Sequence, residues 1–281
     1  MNGNDEEARR IYWREQMESG YKIFEALLAS SVNEWGESMG SIADAADAAG
    51  VEMRFSATKI AGGLERVFFL RKGLLPDLIK IGRTMNERGW VLQIEDAFRS
   101  LEMQASLVRK PEVFDAVVQK CLWETGGQIP SVDFVIRRAT VMVANIPKTG
   151  THMSGSAVDI SVIRRDGSEV SRGAPYLEVS EKTPMSSPFV SKEERRNRAE
   201  ITELMEAHGM THFPFEFWHY NQGDALDQIL NERSEPAQYG AINWDPQTNR
   251  VTPVENAEVP LNPVKQFEAE VEAALTREKS I

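Results

Sequence analysis

Two short segments of the chain carry side chains that could together hold a metal ion. The first, T-H-M-S-G-S-A-V-D-I, places His152 and Asp159 seven residues apart. The second, E-F-W-H-Y, places Glu216 three residues before His219. Two imidazoles and one carboxylate are typical protein ligands of a catalytic zinc ion, whose fourth position stays open for water. The remaining carboxylate is then available as a general base.

Each segment alone is weak evidence, because an isolated histidine is more often a surface or core residue than a ligand. The first segment could be a turn followed by a solvated aspartate on a strand, and the second could be a core strand with its polar residues facing solvent. The second segment is, however, surrounded by aromatic residues, which exclude water and raise the pKa of a carboxylate. The occurrence of both segments in one chain favours the metal site.

The other histidines and the single cysteine are interpreted as structural. His208 precedes Gly209 at a predicted helix end, where an imidazolium complements the helix dipole. His212 follows beyond that glycine, so the two histidines do not share a helical face. Cys121 lies in the apolar run V-V-Q-K-C-L-W and is expected to be a buried thiol rather than a nucleophile.

The two segments resemble the motifs of the M15 metallopeptidases, most closely the D-alanyl-D-alanine dipeptidase branch that includes the vancomycin-resistance dipeptidases. That family's S-x-H-x-x-G-x-A-x-D and E-x-W-H patterns are matched by His152, Gly155, Ala157, Asp159, Glu216, Trp218 and His219. A third segment, D-A-F-R, resembles the family's D-A-Y-R and ends at Arg99. The resemblance covers roughly residues 67–223.

The resemblance implies a set of roles for these residues. His152, Asp159 and His219 would hold one Zn²⁺ per chain. Glu216 would take the proton from the attacking water and pass it to the departing amine, and Arg99 would stabilise the negative oxygen of the tetrahedral intermediate.

The chain departs from the family pattern at two positions near these motifs. The family has serine two residues before the first histidine, whereas this chain has Gly150 between Thr149 and Thr151. A threonine hydroxyl is a candidate substitute for that serine. The family's D-A-Y-R usually continues with proline, whereas Ser100 follows Arg99 here.

The resemblance implies hydrolysis of D-Ala-D-Ala or of a similar short dipeptide that contains a D-amino acid. One alternative is a D,D- or L,D-carboxypeptidase that acts on longer muropeptides. A second alternative is a zinc-binding module without turnover, because one fold can serve several functions. Such a module would need neither Glu216 nor Arg99, so their presence favours an enzyme.

Composition limits the partners and the location of the protein. The 281 residues are 41% hydrophobic and 27% charged, which is ordinary for a soluble globular protein. A formal charge of -11 argues against a nucleic-acid partner and disfavours anionic lipid. The chain contains no apolar run of the ~18 residues that a membrane span needs, and its polar N-terminus does not resemble a signal peptide. We therefore expect a cytoplasmic protein, and the resemblance implies a small dipeptide as its partner; composition leaves its oligomeric state open.

The pattern of the elements predicts an α+β fold, and the resemblance implies a small central antiparallel sheet flanked by helices, as in M15 and hedgehog-like domains. Strands are predicted at residues 67–70, 90–95, 140–144 and 157–163 and around the second motif. Helices are predicted at residues 74–88, 111–124, 192–208 and 264–275. Residues 6–35 are predicted to form one or two helices, with residues 19–20 as the candidate break between them. The predicted organisation is a helical N-terminal extension at residues 1–65, a peptidase domain at 66–240 and a C-terminal tail with a helix at 241–281.

Overall fold

The computed structural model of the protein describes residues 3–60 and 63–278, so residues 1–2, 61–62 and 279–281 of the predicted domains lie outside it. The strands are β1 (Met39–Ser41), β2 (Met53–Phe55), β3 (Phe69–Arg71), β4 (Trp90–Asp96), β5 (Ala157–Arg164), β6 (Thr211–His212), β7 (His219–Asn221), β8 (Ile242–Asp245) and β9 (Arg250–Pro253). The helices are α1 (Gly3–Ala29), α2 (Ile42–Ala49), α3 (Leu75–Glu87), α4 (Leu101–Val108), α5 (Pro111–Glu124), α6 (Val132–Met142), α7 (Lys192–Glu206), α8 (Ala225–Leu230) and α9 (Val264–Glu278).

A five-stranded sheet forms the centre of the α+β fold, in the order β2-β4-β5-β7-β6. The sheet is antiparallel except for the parallel pair β2–β4. Side chains alternate along β5, so Val158, Ile160 and Val162 face one side, where they join the apolar core with α3 and α7. Asp159 consequently points to the opposite side of the sheet, as the alternation in the sequence predicts.

A second apolar core lies between helices α5, α6 and α9. Phe114 of α5 packs edge-on against Phe267 of α9, with the ring centroids 5.1 Å apart. Val271 and Leu275 follow Phe267 at helical spacing and are buried in the same core. The helix predicted at residues 264–275 is confirmed; its buried face begins at Phe267, whereas Val264 at its start is 57% exposed.

Several helix limits follow from the capping signals in the sequence. The helix predicted at residues 111–124 is confirmed, with Pro111 in its first turn. Ser191 and Glu194 form the predicted capping box at the start of α7. Gly89 directly follows the C-cap of α3 and has a φ of +76°, which suits a residue without a Cβ.

One prediction of local structure is wrong, and one open alternative is decided. Residues 140–144 do not form a strand, because residues 132–142 form helix α6, which Ser131 caps at its N-terminus. The β-branched residues in this run favour a strand locally, but packing of α6 in the second core through Val135, Ala139 and Met142 favours the helix. The N-terminal helix does not break at Gly20. Gly20 instead allows a close approach to α6, since a Cβ at that position would lie 2.6 Å from Val141 Cγ1.

The first 65 residues contribute strands as well as helices. β2 pairs with β4 in the central sheet, and β1 pairs with β3 in a separate two-stranded sheet. Helix α1 packs against α5, α6 and α8. The predicted domain limits at residues 65 and 240 remain predictions.

Candidate metal centre and active site

The register of the three central strands brings distant polar residues into one row. Asp159 of β5 lies opposite Asp96 of β4 on one side and opposite His219 of β7 on the other. The register of the β4–β5 pairing shifts between Ile94 and Asp96, which changes the direction of the side chains at the end of β4. Side chains that lie far apart in the sequence therefore meet at one place on the sheet.

His152 reaches the same place from a 3₁₀ turn that precedes β5. The turn covers residues Thr151–Ser154 and ends at Gly155, which has a φ of +71°. A Cβ on Gly155 would lie 2.6 Å from Met39 Cε, the flexible end of a side chain, so the backbone conformation is the main reason for glycine here. This turn connects His152 to the start of β5.

His152, Asp159 and His219 form a cluster whose ligand atoms all lie within 4.8 Å of one another. His152 Nε2 is 3.3 Å and His219 Nδ1 is 2.9 Å from Asp159 Oδ1. Donors about 2.0–2.2 Å from a tetrahedral zinc ion lie roughly 3.3–3.6 Å apart, so a small adjustment would fit the ion. The three side chains are buried, as expected for groups that share a cation.

In the neutral form of each imidazole, its hydrogen bonds determine which ring nitrogen carries the proton and which carries a lone pair. His152 Nδ1 donates to the Ala97 carbonyl at 2.6 Å, because a carbonyl can only accept. Nε2 of the neutral ring then presents a lone pair to Asp159. His219 Nε2 lies 2.9 Å from the Thr151 hydroxyl, to which it can donate, and this leaves Nδ1 facing the same carboxylate. Lone pairs that converge in this way suit a bound cation, so the residues fit a zinc ion.

Asp159 is held as an anion by its surroundings. Burial alone would raise its pKa, but in the metal-free site the positive charge and N–H groups that His152 and His219 present when protonated hold the pKa well below its usual range. A bound cation would take the place of those protons. The Tyr176 hydroxyl donates to Asp159 Oδ2 at 2.9 Å, on the side away from the imidazoles. This leaves Oδ1 directed at the two histidines.

Arg99 lies next to the cluster and is fixed by acidic and amide partners. Its Nε donates to Asp96 Oδ2 at 2.7 Å, and its Nη1 donates to Gln104 Oε1 at 3.3 Å. Arg99 Nη2 is 3.7 Å from Asp159 Oδ2. Burial alone would lower the pKa of Arg99, but Asp96 and Asp159 raise it, so the guanidinium stays charged.

Glu216 occupies a turn before β7 rather than the strand itself. The turn is closed by hydrogen bonds from the Glu216 N–H to the Phe213 carbonyl and from the His219 N–H to the Glu216 carbonyl. The short aromatic strand predicted for the second motif is confirmed only from His219 to Asn221. Burial raises the pKa of Glu216 to about 7 from an ordinary value near 4.5, and the repulsion of Asp159 adds to this effect.

The remaining histidines and the cysteine lie outside the cluster. His212 Nδ1 is 2.6 Å from Glu206 Oε1, and His208 follows the end of α7. Cys121 is buried in the second core, where burial raises the pKa of its thiol to about 12. These positions agree with the structural roles expected from the sequence.

Two contacts of the centre involve residues with weak or no signals in the sequence. Tyr176 lies in a loop of prolines and serines that contains no recognisable motif, so its bond to Asp159 could not be foreseen. Thr151 was one of two candidates to replace the family's serine, and the structure places its hydroxyl on His219. Thr149, the other candidate, donates to the Ile146 carbonyl instead.

A cavity of about 450 Å³ opens beside the cluster. Its lining includes the three clustered residues together with Arg99 and Glu216. The arrangement therefore combines a place for a cation, a carboxylate with a raised pKa and a fixed guanidinium at one cavity wall.

Comparison with known proteins identifies the family. The family model Peptidase M15, described as D-ala-D-ala dipeptidase, matches residues 77–239, which is more than half of the chain. This chain belongs to the M15 peptidase family. It is a D-alanyl-D-alanine dipeptidase-like hydrolase, and zinc dependence fits this family.

Two curated relatives of this M15 peptidase are D-alanyl-D-alanine dipeptidases. The protein from Synechocystis sp. is 26% identical over 198 residues, which cover 62% of this chain and 79% of the relative. The protein from Enterococcus faecium is 27% identical over 92 residues, which cover 32% of this chain and 44% of the relative.

Two solved structures show a more distant similarity. The LdcB LD-carboxypeptidase has a TM-score of 0.33 and 16% identity, covering 63% of this chain and 72% of its own. A variant of the vancomycin resistance D,D-pentapeptidase VanY in complex with Zn(II) has a TM-score of 0.33 and 14% identity, covering 66% of this chain and 95% of its own. Within the described part of the M15 peptidase, no helix combines the length and the apolar character that crossing a membrane requires.

Proposed function

We propose that this M15 peptidase hydrolyses D-Ala-D-Ala, or a similarly short dipeptide that contains a D-amino acid, with one zinc ion per chain. The observation that carries the proposal is the convergence of His152, Asp159 and His219 beside Glu216 and Arg99 in one cavity. The first three residues are proposed as the zinc ligands. A cytoplasmic location is proposed with this substrate, because a free dipeptide is a soluble precursor.

The zinc ion, when bound, supplies Lewis-acid chemistry that polarises the peptide carbonyl and makes water a stronger nucleophile. Glu216 accepts a proton from the attacking water at its carboxylate and later delivers it to the nitrogen of the departing amine. Burial raises the pKa of Glu216 to about 7 in the metal-free site, and a bound cation would favour the carboxylate, so the group is ready to accept a proton near neutral pH.

Arg99 stabilises the negative charge that develops on the carbonyl oxygen. Its bonds to Asp96 and Gln104 fix the guanidinium before substrate arrives, so little reorganisation is needed during the reaction. Two residues orient the proposed ligands without binding the metal themselves. Thr151 orients His219, and Tyr176 orients Asp159.

Hydrolysis of a stereoisomer panel of dialanine by zinc-loaded protein tests the proposal. We expect D-Ala-D-Ala to be cleaved, with activity lost on chelation and restored by added Zn²⁺. A pentapeptide that ends in D-Ala-D-Ala, offered in parallel, distinguishes a dipeptidase from a carboxypeptidase. The proposed reaction is wrong if fully zinc-loaded protein cleaves no member of the dipeptide panel.

A further inference from the structure

The cavity beside the metal cluster continues into an apolar chamber. The chamber is defined by six apolar residues on three helices: Ile23, Phe24 and Leu27 of α1, Val113 and Val117 of α5, and Val141 of α6. Helix α1 lies outside the segment that matches the family model, so half of the chamber wall is supplied by residues particular to the N-terminal part of this chain.

Aromatic and aliphatic contacts connect the chamber directly to the metal cluster. The Phe213 ring lies 5.8 Å from the His219 ring, measured between centroids. On its other side Phe213 packs in the same apolar cluster as Ile23 and Leu27 of α1. Phe213 therefore provides a continuous apolar wall between the cluster and α1.

The mouth of the cavity also carries exposed apolar side chains. Leu177 and Val179 line the cavity and are 55% and 42% exposed. Leu177 has a φ of +66°, an unfavourable conformation for a branched side chain. The neighbouring Tyr176 is tied to Asp159, which positions this apolar rim relative to the cluster. Exposed apolar groups next to a site commonly contact a ligand.

The chemistry of the walls indicates which part of a substrate enters the chamber. The lining residues of α1 and those at positions 141–144 carry no polar side-chain group. A peptide backbone that entered would leave its amide groups unpaired, and a charged terminus would lose its hydration. An apolar side chain has neither cost. The methyl group of alanine would cover little of this surface, whereas a larger side chain would cover much more.

We propose that the chamber is a specificity pocket that selects a dipeptide with a bulky apolar side chain, such as leucine, over dialanine. This inference rests on the proposed dipeptidase function and narrows its substrate class. Each buried methylene is worth about 4-fold in affinity. A leucine side chain in the chamber should therefore raise kcat/KM by about 10-fold or more over alanine, within the range of roughly 10–200-fold that apolar pockets achieve for small differences in side-chain size.

The test compares D-Ala-D-Ala with D-Leu-D-Ala and D-Ala-D-Leu, using the zinc-loaded full chain. Two variants are designed to reduce the volume of the chamber: Val113→Phe enlarges a residue of its wall, and Ala116→Trp adds an indole at an exposed cavity-lining position one turn further along α5. The matched control is Ala48→Trp, an exposed position on α2 that does not line the cavity. We expect one leucine dipeptide to be preferred by wild type and by the control, and the preference to fall to about 2-fold or less in the filled variants.

Calorimetric binding of the same dipeptides to zinc-loaded Glu216→Gln protein separates the pocket from the reaction. Tighter binding of a leucine dipeptide that is lost in the filled variants supports the pocket, even if no dipeptide is hydrolysed, in which case only the proposed function fails. The pocket is ruled out if D-Ala-D-Ala binds as tightly as both leucine dipeptides. It is equally ruled out if filling the chamber leaves the preference unchanged.

Discussion

Replacing Glu216 by glutamine should stabilise the metal-free protein above pH 7 and abolish hydrolysis. Burial raises the pKa of Glu216 to about 7 from an ordinary value near 4.5. At 1.36 kcal/mol for each unit of pKa, this rise in the pKa corresponds to at most about 3 kcal/mol of unfavourable free energy for the charged form of Glu216. Glutamine keeps nearly the same shape without that charge.

The sign of the pH dependence follows from the direction of the change. Since the pKa of Glu216 is higher in the folded than in the unfolded state, the folded protein holds an extra proton between pH 4.5 and about 7. The free energy of unfolding therefore falls as pH rises through this window and levels off above it. Bound zinc should remove most of this effect, because a nearby cation favours the carboxylate.

Urea unfolding of metal-free wild type and Glu216→Gln at about pH 5 and pH 8 measures the effect. The loss of unfolding free energy between the two pH values should be smaller in Glu216→Gln by up to about 3 kcal/mol. Glu203→Gln, at an exposed position on α7, is the matched control and should behave as wild type. The zinc-loaded Glu216 variant should lose about 10²–10⁴-fold in kcat at unchanged zinc content. Equal pH dependence of stability in Glu216→Gln and wild type would refute the buried environment assigned to Glu216. Near-normal turnover by the variant would refute its role as the general base.

Three further substitutions test the parts around the cluster. Thr151→Val removes the oxygen that contacts His219 Nε2, so zinc affinity measured by competition with a chelator should fall about 10-fold, whereas Thr149→Val should not change it. Arg99→Lys keeps the positive charge but loses the planar guanidinium that Asp96 holds in place, so kcat should fall about 10²-fold, with zinc content unchanged in metal analysis. Gly155→Ala should lower the free energy of unfolding by about 1–3 kcal/mol in urea titrations, because φ is +71° and a Cβ would meet a side-chain carbon at 2.6 Å; a neutral result would contradict the required conformation.

The clustered residues could be predicted because their chemistry is visible in the sequence. Residue type and spacing drew attention to His152, His219 and two carboxylates, the family resemblance implied Asp159 as the third ligand, and the structure brings His152, Asp159 and His219 together. The strand that carries Asp159 was predicted from its alternation. Which atoms meet could not be predicted, since that depends on the register between β4, β5 and β7.

Other features depend on tertiary contacts that leave no local signal. Residues 140–142 have strand-like propensity, yet they continue helix α6 because that helix packs on α5 and α9. Gly20 indicated a helix break, yet it marks a close helix contact. Tyr176 belongs to an irregular loop, and its contact with Asp159 is set by the folding of the whole segment after β5. The sequence predicts only a helical N-terminal extension, and the position of α1 against the cavity depends on the tertiary fold.

Asp96, Asp159 and His219 lie opposite one another on three neighbouring strands, so metal binding depends on the correct register of these strands. A slip of β5 by a single residue would turn Asp159 toward the apolar core and Val158 toward the cavity, because side chains alternate. A misaligned chain would then have neither a complete core nor a complete ligand set. Zinc added during refolding should therefore select the native pairing, and the fraction of chains that retain the ion after dialysis would measure how many sheets have assembled correctly.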